Sequence, residues 1–466
     1  MAETLQGQML QERELKLLFD MANQRGSAYL DNIIDRNVYP DQEALINLDE
    51  FDESLPDSGT PATEVIQTLD EFGSPTTVAN QGGRYFGFVN GSSLPVSLAA
   101  RLLGDYWDQN AGLYVISPIA AKLETICEQW LKELFGLPEN VVAGFVSGTS
   151  IATFCGLAAG RYRLLERLGW NVTTQGLYDA PRLRVIACDQ IHGTVLKAIS
   201  LLGLGHEQIE WVASDDQGRI LLDQMPELDD HCILILQAGN VCSGCYEDFE
   251  SIIPIARKAG AWVHVDGAFG LWAAGSDNFA HLTKGMEKAN SFSVDGHKTL
   301  NLPYDNGLVL CDDAEALTAA LHNAGSYVVL SDERDGMFYG PEMSRRARAI
   351  ELWAALKYLG RDGVDELITS LHNKALTLAK HLDEDGFEIL NDVVFNQVIV
   401  ACESDEITLA TMKNMQQSGE CWLGGAHWKG REVIRVSVCS WVTSDVDIQR
   451  TIDAFMIGRA AARAEE

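Results

Sequence analysis

The chain has 466 residues, of which 46% are apolar and 22% charged, a composition typical of a folded globular protein rather than a disordered one. Its 67 acidic residues against 35 basic ones give a formal net charge of −32, which repels nucleic-acid phosphates and anionic lipids. We therefore expect neither nucleic acid nor a membrane as a partner, and interpret the acidity as a solvated surface; a saline habitat would also account for it.

Ten cysteines are scattered along the chain, several inside apolar, strand-like runs such as HCILIL and VIRVSVC. Free thiols in a reducing compartment fit this distribution best. Cys242 and Cys245 form an isolated C-x-x-C pair, for which metal binding or redox chemistry is the less favoured interpretation, and we expect no metal site. The N-terminal residues lack the basic start and apolar core of a signal peptide, so the cytoplasm is the expected location.

The hydrophobic pattern divides the chain into three predicted parts. Residues 1–82 indicate amphipathic helices broken by a loop rich in Asp, Pro, Gly and Ser, which favours an arm. Residues 83–340 alternate short apolar strands with helices, the pattern of a large domain with a mostly parallel sheet covered on both faces. Residues 341–466 give long helices and then strands, which predicts a smaller C-terminal α+β domain. The predicted fold class is therefore α/β.

An apolar strand ends at Ser147-Gly148-Thr149-Ser150, and an amphipathic helix follows. Small residues let the backbone approach an anion, and the free N–H groups of a helix start donate to it. The segment is a candidate phosphate cup, although an ordinary helix N-cap at Thr149 or Ser150 explains it equally well when it is considered alone.

His192 follows a strand in the sequence CDQIHGTV. An imidazole at the edge of a sheet can stack on a planar ring and take part in proton transfer. The alternative is a histidine with an ordinary structural hydrogen bond.

Asp266 ends the strand of AWVHVDGAFG, at the edge of the sheet where ligands collect. A buried carboxylate needs a partner, and a protonated pyridine nitrogen is one that would suit it. Capping of the next helix or pairing with an arginine are the alternatives.

Lys298 lies just after the strand of SFSVDGHKTL, with His297 beside it and the apolar run GLVLC soon after. A lysine between two buried strands is rarely structural, because its ammonium group must lose water. A deprotonated amine in that setting can form an imine with an aldehyde. We therefore predict that Lys298 holds pyridoxal 5′-phosphate (PLP) as a Schiff base, and it is the strongest single signal in the chain.

These motifs occur together with further segments, and the whole resembles the group II PLP-dependent amino-acid decarboxylases, the family of aromatic-amino-acid, histidine and glutamate decarboxylases. The segments that carry the likeness cover most of the chain: RYFGFVNGSSLPVSLAARLLGD, ISPIAAKLE, SGTSIAT, IHGTVLKA, HVDGAFG, VDGHKTLNLPYDNG, MSRRARAIELWAALKYLG and VIRVSVCSWVTSDVDI.

The resemblance implies the PLP-dependent transferase fold of type I, a homodimer with an N-terminal arm over the partner, and a role in amino-acid and carboxylic-acid metabolism. It assigns Lys298 to the Schiff base, Asp266 to the pyridine nitrogen and His192 to ring stacking. Thr149, Ser150 and His297 match phosphate contacts, with Gly148 in the same turn; Ala268 packs on the ring, and Asn240 stands where the family usually has a threonine near the cofactor.

Three departures from the family pattern stand out. Ile151 replaces an acid after the glycine turn, and Asp295-Gly296-His297-Lys298 replaces N-P-H-K, so the phosphate environment differs. The loop that often carries a proton-donating tyrosine has Gly336 at the expected position. Tyr339 and the more distant Tyr327 are the alternatives for that role, and we take Tyr339 as the candidate.

The resulting hypothesis is a carboxy-lyase that releases CO₂ from an L-amino acid through an external aldimine and a quinonoid. The alternatives are another PLP reaction on the same scaffold, such as an aldehyde synthase, another lyase or a carbon–carbon bond-forming enzyme, and a non-catalytic paralogue. Tyr85, Phe86 and Phe88 favour an aromatic or apolar substrate if they line the pocket, but core packing explains them equally well. Arg435 is a candidate for binding a carboxylate, with a surface ion pair as the simpler interpretation.

Overall fold

A computed structural model describes residues 4–322, 330 and 332–465. Residues 4–82 contain a series of helices and no strand. Neither α1 nor α2 buries a residue, and Leu5 and Leu15 are exposed. The helices of this part are α1 (Leu5–Leu15), α2 (Leu17–Asn32), α3 (Gln42–Ile46), α4 (Ala62–Thr68) and α5 (Ser74–Thr76).

A seven-stranded sheet forms the centre of the molecule. Its strands in chain order are β1 (Val142–Val146), β2 (Arg184–Cys188), β3 (Ile209–Val212), β4 (Cys232–Gln237), β5 (Trp262–Asp266), β6 (Ser291–Asp295) and β7 (Gly307–Cys311). In space the order is β1-β7-β6-β5-β4-β2-β3, and only β7 runs against the others. The mostly parallel α/β sheet predicted from the sequence is confirmed.

The centre of the sheet is buried on both faces, and strands such as β4 and β7 are apolar at consecutive positions rather than at alternate ones. In β4, Ile233 and Ile235 pack in one apolar cluster and Leu234 and Leu236 in the opposite one. The helices that cover it or follow it are α6 (Pro95–Trp107), α7 (Pro118–Phe135), α8 (Thr149–Arg167), α9 (Val172–Gln175), α10 (Gly193–Leu201), α11 (Phe249–Lys258), α12 (Ala314–Leu321) and α13 (Ala349–Glu384).

A second, four-stranded antiparallel sheet follows in the C-terminal part. It has the order β10-β11-β9-β8, and α15 contributes Phe455 and Ile452 to the same apolar cluster as Val398 and Val400. Its elements are β8 (Glu388–Ile389), β9 (Gln397–Ala401), α14 (Asp405–Ser418), β10 (Gly424–Trp428), β11 (Arg431–Ser437) and α15 (Asp445–Glu465). The smaller α+β part is therefore present, whereas the exact boundaries at residues 82 and 340 stay predictions.

The helical pattern of residues 344–363, SRRARAIELWAALKYLGRDG, predicts a helix from Ser344, but α13 begins only at Ala349. Arg345, Arg346 and Arg348 precede α13, and the helix is interrupted at Gly360. The segment before the helix instead carries a buried ion-pair network: Arg345 Nη2 lies 2.8 Å from Glu124 on α7, and Arg334 Nε lies 3.1 Å from the same carboxylate. Glu124 is 1% exposed, so this network ties α7 to the segment before α13 inside the protein.

Within the described residues, no helix is both long enough and apolar enough to cross a membrane.

We predict that Glu124→Gln lowers the free energy of unfolding by about 3 kcal/mol, because it leaves two buried guanidinium groups without their shared counter-ion. Urea denaturation followed by circular dichroism measures the change. Glu133→Gln is the matched control on the same helix, since Glu133 is exposed and lies 3.9 Å from Arg361. A loss at Glu124 no larger than that of the control would contradict the structural role of the network.

Candidate active site

A cavity of about 610 Å³ opens where the strands of the large sheet end. Because β2, β4, β5 and β6 are parallel, and β1 runs in the same direction as β6, their carboxyl ends meet at one edge. Eight of the predicted site residues line this cavity: Gly148, Thr149, Ser150, His192, Asp266, Ala268, His297 and Lys298.

The pairing of three strands brings the glycine-rich turn against the segment that carries Lys298. Gly307 pairs with Val146 on one side and with Asp295 on the other. A Cβ atom at Gly307 would lie only 2.3 Å from the Cα of Gly148, so only glycine permits this approach. The start of α8 and the end of β6 are thereby held together.

Lys298 points at a carboxylate. Its Nζ lies 3.1 Å from Asp295 Oδ2, and the backbone N–H of Thr149 donates to Asp295 Oδ1 at 2.6 Å. Asp295 is 2% exposed. One carboxylate therefore joins the lysine to the first turn of α8.

Asp266 and His192 form a second polar pair in the cavity. Burial raises the pKa of Asp266, against the opposing effect of His192 and Lys298. Burial also lowers the pKa of His192, and the nearby Asp266 partly offsets this lowering. His192 caps α10: its Nδ1 accepts the backbone N–H of Thr194 at 3.2 Å. The neutral ring therefore carries its proton on Nε2.

His297 is held on the other side of Lys298. Its Nδ1 accepts the backbone N–H of Asn306 at 3.0 Å, and its ring lies 4.3 Å from that of Tyr304. Burial lowers its pKa, while the nearby Asp295 opposes the shift. The imidazole is therefore uncharged and has Nε2 as a proton donor facing the cavity side.

Two buried polar atoms in the cavity wall have no hydrogen-bond partner among the described residues. They are Thr149 Oγ1 and Gln237 Nε2, on residues that are 5% and 3% exposed. An unpaired buried donor or acceptor is costly. Both atoms belong to residues that line the cavity, so a polar ligand there is a candidate partner for them.

Two predicted site residues do not line the cavity. Asn240 is buried in a turn, where its side-chain oxygen accepts the N–H groups of Cys242 and Ser243 at 2.9 and 3.2 Å. The Tyr339 ring lies under the Arg334 guanidinium group, 4.2 Å from its central carbon. Tyr327 lies outside the described residues.

Sequence reasoning missed several residues of the cavity wall. Gln237 and Asp295 end the strands β4 and β6, and the rule that pointed to Asp266 would have found both. The sequence makes Phe88 a candidate for the pocket wall, and Phe88 does line the cavity, whereas its neighbour Val89 was not predicted. Both residues have positive φ values, of 54° and 59°, a conformation that the sequence pattern does not indicate. Tyr304 also lines the cavity.

Arg435 does not form the surface ion pair that the sequence favoured. It lines the cavity, and its Nη1 donates to the carbonyl of Val241 at 3.0 Å. No carboxylate of the described chain lies within 4 Å of it. Burial lowers its pKa.

Comparison with known proteins places this site in a family. Residues 45–402 match the model of the pyridoxal-dependent decarboxylase conserved domain. The chain is 25% identical to an aromatic-L-amino-acid decarboxylase of Bacillus atrophaeus, over 94% of this chain and 93% of the relative. It is 26% identical to a phenylacetaldehyde synthase of Petunia hybrida, over 72% of this chain and 70% of that relative.

The solved structures agree on the fold. The Oryza sativa protein TDC, crystallised with PLP and tryptamine, superposes with a TM-score of 0.87 at 21% identity, and the match covers 96% of this chain and 98% of that one.

We predict that His264, which lies on β5 two residues before Asp266, makes the free energy of unfolding depend on pH. Burial lowers its pKa to about 3, so the folded protein leaves it neutral while the unfolded chain protonates it below about pH 6.5. Stability is therefore lost as the pH falls from about 6.5 toward 3. In His264→Gln the slope of unfolding free energy against pH should be shallower by about 1.4 kcal/mol per pH unit between pH 6 and 4.

Urea titrations at each pH measure this slope. Ser291→Ala is the control, because it removes the hydrogen-bond partner of His264 (2.8 Å) without removing a titratable group. Equal slopes in the wild type and His264→Gln would contradict the assignment of a neutral buried imidazole.

Proposed function

The chain belongs to the pyridoxal-dependent decarboxylase family, and from that premise we propose that it is a PLP-dependent carboxy-lyase acting on an L-amino acid at the cavity around Lys298. The observation that carries the proposal is the convergence of one lysine, one strand-end carboxylate, one histidine and the turn at the start of α8 in a single cavity. These are the groups needed to bind the amine-reactive end, the ring nitrogen, the ring face and the phosphate of PLP.

The residues of the cavity fit that cofactor. Thr149 Oγ1 and Gln237 Nε2 are buried polar atoms still in need of a partner, and PLP offers phosphate and phenol oxygens. Thr149, Ser150 and His297 would hold the phosphate. Asp266 would bind the pyridine nitrogen, and Ala268 leaves room for the ring.

When bound, PLP supplies an electron sink that accepts the electron pair left on the substrate α-carbon as CO₂ departs. Lys298 would hold the cofactor, because its Nζ is the nucleophilic amine in the cavity wall. Asp295, 3.1 Å away, fixes the direction of that amine. The protein's contribution is to decide which bond of the substrate is broken.

Asp266 and His192 set the electrostatics of the ring site. The carboxylate of Asp266 gains a partner for its buried charge when it faces a protonated ring nitrogen, which offsets the burial that raises its pKa. The neutral imidazole of His192 would pack on the ring, with a proton on Nε2 that it can give to or take from the reacting substrate.

Arg435 is our candidate for binding a substrate carboxylate. It is a guanidinium group in the cavity wall that lacks an ion-pair partner among the residues described, and its backbone partner at Val241 leaves further N–H groups free. A carboxylate bound there would compensate for the burial of the charge.

For the substrate side chain we propose an aromatic or apolar group. Phe88 lines the cavity, is 64% exposed and stacks on Trp422 with ring centroids 5.4 Å apart. Val89, Val241 and Tyr304 extend this apolar wall. A ring docked on Phe88 would bury apolar surface that is otherwise open to water.

An aldehyde synthase is the second candidate function, favoured by the position of Tyr339. Because that ring lies under Arg334 rather than in the cavity of its own chain, the candidate proton donor is missing from the described wall. Without protonation of the α-carbon, O₂ and water can convert the amino acid to an aldehyde with release of CO₂, NH₃ and H₂O₂. Measuring H₂O₂ and NH₃ alongside CO₂ separates the two functions.

We also propose that the protein is a homodimer. The helices α1 and α2 bury no residue, and they expose Leu10, Leu15 and Leu17 by 58%, 64% and 56%. An arm with so much apolar surface needs a second surface to cover it, and a second copy of the chain would provide one.

Its proposed location is the cytoplasm. All ten cysteines are free thiols, and nine of them are buried. This use of cysteine supports a reducing compartment.

We predict that Lys298→Ala abolishes the visible absorption band of the PLP-loaded protein and lowers the rate of CO₂ release at least ~100-fold, because no other lysine of the described residues lines the cavity. Absorption spectra and CO₂ capture on a panel of amino acids measure both. Lys197→Ala, an exposed lysine of α10, is the control and should keep band and rate. A colourless wild type after incubation with PLP would refute the proposal.

We predict that Arg435→Met raises KM for the amino acid about 10- to 100-fold, the loss expected for a hydrogen-bonded ion pair. Inhibition by the amine product, which lacks the carboxylate, should stay unchanged. Arg431→Met is the control on the same strand, since that arginine pairs with Glu388 outside the cavity. An equal loss of affinity for amino acid and amine would show that Arg435 shapes the cavity without binding the carboxylate.

A further inference from the structure

The proposed phosphate cup already contains a negative charge. Asp295 Oδ1 accepts the Thr149 N–H at 2.6 Å, and this N–H belongs to the first residue of α8, whose free donors favour anions. A Cβ atom placed on Gly148 would meet Asp295 Oδ1 at 3.4 Å and a ring carbon of His297 at 3.3 Å. The carboxylate is therefore part of the wall that a phosphate group would touch.

The positive charge near Asp295 is too small to neutralise both anions. Lys298 Nζ, at 3.1 Å, is the one lysine or arginine nitrogen within 4 Å of this carboxylate in the described chain. His297 Nε2 lies 3.6 Å away, but burial lowers the pKa of that imidazole. A phosphate dianion beside Asp295 would bring three negative charges against the single charge of Lys298.

The other elements packed around Asp295 do not supply the missing charge. Burial lowers the pKa of His192, which favours its neutral form, and Asp266 carries a carboxylate of its own. Burial also raises the pKa of Tyr304, so its phenol is neutral. The titratable groups that face Asp295 are Lys298, His297, His192, Asp266 and Tyr304.

Resting on the PLP site proposed above, we propose that Asp295 makes this protein bind the cofactor phosphate as its monoanion, with one proton held between a phosphate oxygen and the Asp295 carboxylate. Two anionic groups that share a buried site hold one proton between them, because both cannot be charged at once without a large cost. Free phosphate monoesters lose their second proton near pH 6. Binding above that pH therefore takes up one proton from water.

The direct test is ³¹P NMR of the wild-type protein loaded with PLP, between pH 6 and 9. The phosphate resonance should stay at the monoanion position at pH 7 and move to the dianion position at least about two pH units above free PLP. In Asp295→Asn, which keeps the shape and removes the charge, the resonance should be that of the dianion at pH 7.

A binding measurement provides the second readout. The ratio of the affinity for PLP to that for pyridoxal, which lacks the phosphate, isolates the phosphate contribution from proton changes at Lys298 and the ring. In the wild type this ratio should fall roughly tenfold per pH unit between pH 6.5 and 8, since one proton is taken up. In Asp295→Asn the affinity ratio should change little with pH, and at pH 8 it should exceed that of the wild type.

Asp312→Asn is the matched control. It removes a carboxylate just after β7 that does not line the cavity; there Asp312 forms an ion pair with Arg257 at 3.3 Å. This variant should behave as the wild type does. A dianionic phosphate at pH 7 in the wild type, with the same affinity ratio in Asp295→Asn, would overturn this inference and leave the PLP site intact. A wild type that binds neither PLP nor pyridoxal would refute the proposed function and this inference together.

Discussion

The burial of the large sheet on both of its faces is the constraint on which the site depends. Because β4, β5 and β6 pack apolar side chains above and below, a charged side chain within them would have no solvent and no partner. Within β5 and β6 the polar residues His264, Ser291 and Ser293 hydrogen-bond to one another. The polar groups left for the cavity stand where the strands end, and Gln237, Asp266 and Asp295 each occupy the last position of a strand. Parallel pairing then collects the three side chains at one edge of the sheet.

The groups collected there do not satisfy one another fully, which distinguishes the cavity from an ordinary polar core. Lys298 has Asp295, and Asp266 accepts the backbone N–H of Ala268 but forms no ion pair among the residues described, with His192 and Lys298 as the nearby basic groups. Thr149 and Gln237 each keep an unpaired polar atom, and Arg435 has no carboxylate among the residues described. The buried charges of Glu124, Arg345 and Arg334, by contrast, pair with one another inside the protein. Incomplete pairing in a cavity is what a bound cofactor and substrate would complete.

Much of the fold and the centre of the site could be predicted from the sequence, because short apolar runs indicate the buried strands. Asp266 ends one of these strands, and His192 and Lys298 each come a few residues after one. The rest depends on contacts between distant segments. Arg435 reaches the cavity from β11 of the second sheet. Phe88 lines it with a positive φ angle, which the sequence pattern does not indicate. Tyr339 is the candidate proton donor because it is close in sequence to the expected loop position. In the structure its ring packs against the Arg334 guanidinium group and does not line the cavity.

The central claim is that the Lys298 amine holds PLP in this cavity, and mapping of the trapped cofactor tests it most directly. Reduction of the PLP-loaded wild-type protein with borohydride, followed by proteolysis and mass spectrometry, should place one pyridoxyl phosphate group per chain on the peptide that contains Lys298. Labelling of a different lysine, or an even spread over surface lysines, would contradict the account.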